Sequence, residues 1–163
     1  MREAMAGMAI LASGAYPHWG INAITALVTM FAVAACVLLH YECLTLLSRS
    51  LTRVSRFGRR RVLHGIFGVL AVHVAEIWVF ALALFALVAW DPRFGQVHGI
   101  DPHALLDHVY FSAVTFSTVG FGDVIPVGPI RFLVGTEALT GFVLITWSAS
   151  FTYLEMERHW RRN

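Results

Sequence analysis

The 163 residues suffice for one domain, but 58% are hydrophobic and only 13% charged, against roughly half and a quarter in a typical water-soluble domain. The formal net charge of +2 says little by itself. No nucleotide-binding loop, nucleophile–base pair or large soluble region appears, so neither an enzyme nor a nucleic-acid partner is expected, and the apolar balance points to a bilayer.

Residues 1–20 read as an extracellular N-terminal segment. Their apolar run is weak and broken by Gly7 and Gly14, so no cleaved signal peptide is expected. Three long apolar runs follow at 21–47, 62–90 and 130–153. Each reaches the ~20 residues that a helix needs to cross the hydrocarbon, which predicts an all-α membrane protein with three spanning helices. Cys36 and Cys43 share one face of the first helix and read as packing thiols, two turns apart and beyond disulfide reach.

All twelve basic residues are arginines. Arg49, Arg53, Arg56, Arg59, Arg60 and Arg61 crowd the link between the first two runs, while Arg158, Arg161 and Arg162 close the chain. The positive-inside rule puts both groups in the cytoplasm, and three crossings then put the N-terminus and residues 91–129 outside. Residues 21–61 thus form a peripheral helix with a basic cytoplasmic linker, and residues 154–163 a short cytoplasmic tail. The Arg49–Arg61 stripe lies beyond the apolar span, so it reads as an anchor on anionic lipid and not as a voltage sensor.

In the outside segment, residues 91–99 read as turn. Asp101 and Pro102 then suit the N-cap and first position of a helix, and Leu105, Leu106, Val109, Tyr110, Ala113 and Val114 continue at helical spacing. A helix over 102–116 is predicted, ending where Thr118-Val119-Gly120-Phe121-Gly122-Asp123 begins. A short helix entering from outside, a glycine-bearing stretch and a return before the next span describe a re-entrant loop. Non-helical backbone is tolerable at that depth where it lines a watery path. Backbone angles alternating in sign would turn successive carbonyls the same way, replacing the hydration oxygens of a cation. Gly120 and Gly122 adopt such angles readily, Thr118 can add its hydroxyl, and Val119 and Phe121 would point away as a packing cuff.

The string Thr118–Asp123, preceded by a pore helix and followed by a glycine-bearing inner helix, resembles the pore module of potassium channels, with TVGFG in place of the commoner TVGYG. The resemblance spans residues 62–153: outer helix 62–90, pore helix 102–116, filter 118–123 and inner helix 130–153. It implies that the carbonyls of Thr118, Val119, Gly120 and Phe121, with the Thr118 hydroxyl and the Gly122 turn, hold K⁺ as the permeant ion. It further implies four chains around one axis, a homotetrameric pore in a cell membrane; the Ala-rich, Arg-only composition suits a prokaryote. Asp123 stands where family members hold an acid at the outer mouth, and Tyr110 is its expected partner. Phe121 is the one departure; it lacks the hydroxyl that could brace the filter. Asp91, Asp101, Asp107 and Asp123 against Arg93 should concentrate cations at the entrance.

Gly141 stands where related channels often have a flexible glycine; a hinge and a close helix contact are both open readings. Phe142, Ile145, Ala149 and Tyr153 form one helical stripe, which the resemblance turns toward the cavity as a candidate gate. Glu76 and Glu137 lie deep in spans, with His73 one turn before Glu76, and a contact of His73 with either carboxylate is expected, as a brace or as a proton-sensing gate. His103 and His108 are five apart, off chelating spacing, so no metal beyond K⁺ is expected. Two alternatives to a K⁺-selective channel are a non-conducting pore-like scaffold or regulatory subunit, and a weakly selective cation channel.

Overall fold

A computed structural model describes residues 19–53 and 58–160. The chain order is α1 (Trp19–Arg53), α2 (Gly58–Trp90), a 3₁₀ turn (Pro92–Phe94), β1 (Gln96–His98), α3 (Leu105–Phe116), β2 (Ile125–Val127) and α4 (Ile130–Trp160). The expected N-terminal segment up to residue 18, and much of the arginine stripe, fall outside the residues described. Three segments, Trp19–Leu51, Val62–Trp90 and Ile130–Glu157, are long and apolar enough to cross a membrane. The fold is thus the expected all-α membrane architecture, to which a two-stranded ribbon is added.

The helices overrun the apolar segments. The inner helix continues to Trp160, so most of the expected tail 154–163 is helical. The outer helix likewise begins at Gly58, before residue 62. Apolarity marks only the part of a helix that lies in lipid, and backbone bonding carries the helix beyond it.

The outside segment holds more structure than turn chemistry indicates. Gln96, Val97 and His98 pair antiparallel with Val127, Pro126 and Ile125. Three-residue strands are too short for alternation to stand out. The pore helix begins at Leu105 and not at 102, with Ala104 as an N-cap that makes no side-chain bond. Asp101 instead stabilises the turn before the helix: its Oδ1 accepts from His103 N at 2.9 Å and its carbonyl from Ala104 N at 3.1 Å. Asp107 Oδ2 accepts from Asp101 N at 3.0 Å. A capping signature three residues early therefore served a turn, a use that Asp also favours.

One hydrophobic core joins these elements behind the loop. Phe80, Leu84 and Leu87 of α2, Phe111 and Phe116 of α3, and Leu133 and Leu144 of α4 are all buried in it. The buried positions Leu133, Glu137, Leu144 and Ser148 run down one face of α4, spaced as one stripe of a 3.6-residue helix. That face packs against α1, α2 and the pore helix, and the opposite face is open.

Candidate functional site: the re-entrant loop and its supports

The loop after α3 starts from a tightly closed helix end. Ser117 N bonds to the Ala113 carbonyl at 3.1 Å, Thr118 N to Thr115 O at 2.9 Å and Gly120 N to Val114 O at 3.1 Å. These bonds occupy carbonyls that a helix C-terminus otherwise leaves free. They also pin three of the first four residues of the loop to the last turn of the helix.

Beyond that point φ is positive at every second residue: +60° at Thr118, +51° at Gly120 and +81° at Gly122. Gly120 and Gly122 take this conformation with no Cβ to clash. Thr118 is the sole non-glycine residue with positive φ among the described residues, and it is β-branched, the type for which that region is least favourable. Left-handed backbone on a threonine persists only where surroundings enforce it. Here the pinned helix end fixes the residue from one side and the alternating glycines from the other. Sequence patterning locates the glycines but carries no signal for Thr118 φ.

The side chains of Val119 and Phe121 are 54% and 69% exposed in the single chain. One chain alone therefore does not complete the apolar cuff expected around them.

At the outer end, Tyr110 Oη donates to Asp123 Oδ2 at 2.7 Å. The bond ties α3 to the residue that closes the loop. Accepting from the phenol, the Asp123 carboxylate raises the Tyr110 pKa above its ordinary value. Asp91 is bound locally instead: its carboxylate pairs with Arg93, Nη2 to Oδ2 at 2.7 Å, and also accepts from Arg93 N at 2.8 Å. That pairing offsets the Asp91 charge locally.

Two supports brace the loop from behind. Ser112 on α3 donates to a carboxylate oxygen of Glu137 on α4 and lies 2.9 Å from the Ile77 carbonyl of α2. Glu137 is therefore joined to the pore helix, and not to His73 as one expected pairing had it. The other carboxylate oxygen of Glu137 is buried with no hydrogen-bond partner among the described residues. Lower down, Gly141 lies against the backbone at the end of α3. A Cβ there would fall onto the Phe116 carbonyl, 2.8 Å from its carbon. The close-contact reading of Gly141 thus has a specific partner.

His73 does meet Glu76, Nδ1 to Oε2 at 2.8 Å, and a residue that sequence reading passed over completes the group. His40 of α1 places Nδ1 2.8 Å from Glu76 Oε1. Its ring also lies 5.2 Å from that of Trp147 on α4. The signal available was a lone histidine deep in the first apolar run, four residues after Cys36. In a sequence with eight histidines, nothing local distinguished it.

Phe142, Ile145, Ala149 and Tyr153 all sit on the open face of α4, with Phe142 60% and Tyr153 62% exposed. They lie away from the core face that packs on α2 and α3.

Three spans enclosing a re-entrant helix and an alternating backbone loop define a membrane pore protein. The ion channel family model matches residues 67–156, more than half of the chain. The chain belongs to the ion channel family, in its potassium-channel pore-module branch. It is 33% identical over 86 residues to the inward rectifier potassium channel Kirbac3.1 of Paramagnetospirillum magnetotacticum, covering 52% of this chain and 29% of that protein. It is 35% identical over 81 residues to potassium channel K1 of Plasmodium berghei, covering 50% of this chain and 4% of that one. The chain thus spans under a third of either relative's length. No solved structure matches it.

Proposed function

We propose that this chain forms a K⁺-selective channel, four copies around one axis, in which the loop carbonyls of Thr118, Val119, Gly120 and Phe121 hold dehydrated K⁺. The observation that carries the reading is the alternation of positive φ at Thr118, Gly120 and Gly122. Alternating the hand of successive residues is what lets consecutive carbonyls face one line, and a β-branched residue takes part in it against its own preference. The exposed Val119 and Phe121 argue for neighbours that cover them, as a ring of chains would. The open stripe of Phe142, Ile145, Ala149 and Tyr153 then faces the axis below the filter. Tyr153, nearest the arginine-rich end, suits the inner constriction.

In this reading the N-terminus is outside and the C-terminus cytoplasmic, since the arginines cluster at one end of the spans. The Arg49–Arg61 segment lies at the cytoplasmic surface of the cell membrane and attracts anionic lipid. Flux from liposomes loaded in turn with K⁺, Rb⁺ and Na⁺ tests the proposal. Fast K⁺ and Rb⁺ efflux with slow Na⁺ efflux is the expected result. Equal K⁺ and Na⁺ efflux would overturn selectivity, and absence of flux would favour a non-conducting scaffold.

A further inference from the structure

A second polar cluster lies between α1, α2 and α4, with the His73 ring 5.8 Å from that of Phe116 at the end of α3. Glu76 is fully buried and holds one imidazole nitrogen on each carboxylate oxygen, His40 Nδ1 on Oε1 and His73 Nδ1 on Oε2, both at 2.8 Å. One donor atom from each of the three side chains lies within 4.8 Å of the other two. Two imidazoles and a carboxylate are the ligand chemistry of first-row transition metals, and of zinc in particular. The ligands come from two long helices packed side by side, which hold the set in place.

The surroundings suit an ion. His40 Nε2 lies 3.4 Å from Ser148 Oγ on α4. A hydrogen bond at the far nitrogen is what fixes a metal-binding imidazole with its proton on Nε2 and its Nδ1 lone pair bare. Nδ1 and Glu76 Oε1 are at hydrogen-bond distance, 2.8 Å, so a cation that displaces the shared proton meets both lone pairs. Cys36 stands one turn before His40, buried, with Sγ 3.8 Å from the Glu76 carbonyl oxygen.

We propose that His40, His73 and Glu76 bind a divalent first-row transition-metal ion, Zn²⁺ being the best chemical match, at a site within the membrane that staples α1 to α2. No single helix carries the set. His73 and Glu76 are three apart on α2, and the third ligand is supplied by α1, so spacing along the sequence does not disclose it. Through Ser148 and Trp147 the same site touches α4. It is independent of conduction: the ion is structural and is not the one that permeates.

The test uses the full-length protein in detergent, stripped with chelator and titrated with ZnCl₂ and CoCl₂. One metal per chain is expected by elemental analysis after equilibrium dialysis, with a Co²⁺ visible spectrum of low-coordinate nitrogen and oxygen ligation. His40→Ala and His73→Ala should each weaken Zn²⁺ binding by more than about tenfold, and Ser148→Ala by about tenfold through the outer hydrogen bond. Absence of stoichiometric binding to the unaltered protein would overturn the proposal. So would retention of the metal by both histidine variants, which would place it on exposed histidines such as His98 and His103. Should either variant fail to fold, X-ray absorption of the zinc-loaded native protein decides: two imidazole ligands support the site and fewer overturn it. None of these readings depends on ion flux, so they stand apart from the test of channel function.

Discussion

Gly141 of the inner helix packs so closely on Phe116 that a side chain of any size there would meet the pore-helix backbone, 2.8 Å from the Phe116 carbonyl carbon and 2.9 Å from its Cα. Backbone does not swing aside as the end of a long side chain can. Gly141→Ala is therefore expected to destabilise the protein by about 1–3 kcal/mol, the usual cost of overpacking. Thermal unfolding in detergent checks this. A variant as stable as the native protein but with altered flux would mean that the glycine serves bending and not contact.

The Tyr110–Asp123 bond makes a prediction about pH. Tyr110 must keep its proton to donate, and its pKa is raised by Asp123. The stabilisation from this bond is thus fully present below the ordinary phenol value, about pH 10, and is lost as pH rises through the raised value. Of the four tyrosines, one should ionise late in an absorbance titration. Asp123→Asn should bring that step back toward the ordinary value and Tyr110→Phe should remove it. Identical titration curves for all three proteins would refute the link.

Ser112 and Glu137, both fully buried, couple the pore helix to the inner helix behind the loop. Glu137→Gln retains a group that can bond Ser112, whereas Glu137→Ala leaves a cavity and reduces the Ser112 hydroxyl to its one bond with the Ile77 carbonyl. The alanine variant should lose roughly 1–3 kcal/mol more than the glutamine variant. Comparing melting temperatures decides, and equal losses would assign the effect to the carboxyl group itself and not to the volume or the bond that glutamine keeps.

Thr118 separates stability from function. Its φ of +60° costs a non-glycine residue about 1–2 kcal/mol, which Thr118→Gly should relieve in part while removing the hydroxyl and a side-chain anchor. The variant is expected to assemble at least as well as the native protein and to pass Na⁺ more readily relative to K⁺. An unchanged flux ratio would remove Thr118 from the ion-binding set.

What the sequence made legible follows from range. The three spans rest on composition over twenty or more residues, and the glycine alternation on a contiguous string, so both could be read directly. The Tyr110–Asp123 pair needed only one local helix and one turn to be placed correctly. The depth of Glu137 in its span is legible from the sequence, but its partner Ser112 is one hydroxyl among many and carries no pattern of its own. His40 was missed because its meaning depends on how α1 packs on α2, a relation between distant segments that periodicity does not encode. The Asp101-Pro102 signal was genuine turn chemistry, and only the backbone decides whether such a turn opens the helix or precedes it.

The short ribbon of β1 and β2 has a mechanical consequence. By pairing His98 with Ile125, it converts the intervening pore helix and filter into a ring closed by hydrogen bonds, with the outer ends of α2 and α4 drawn to the same knot. Closing a flexible loop of that length costs on the order of 3 kcal/mol in chain entropy, and the ribbon meets that cost at the rim, away from the ion path. Slack cannot be fed into the filter from above. A distortion of the filter must therefore be taken up at its inner end, where Phe116 rests on Gly141, which links events at the inner helix to the shape of the path through the loop.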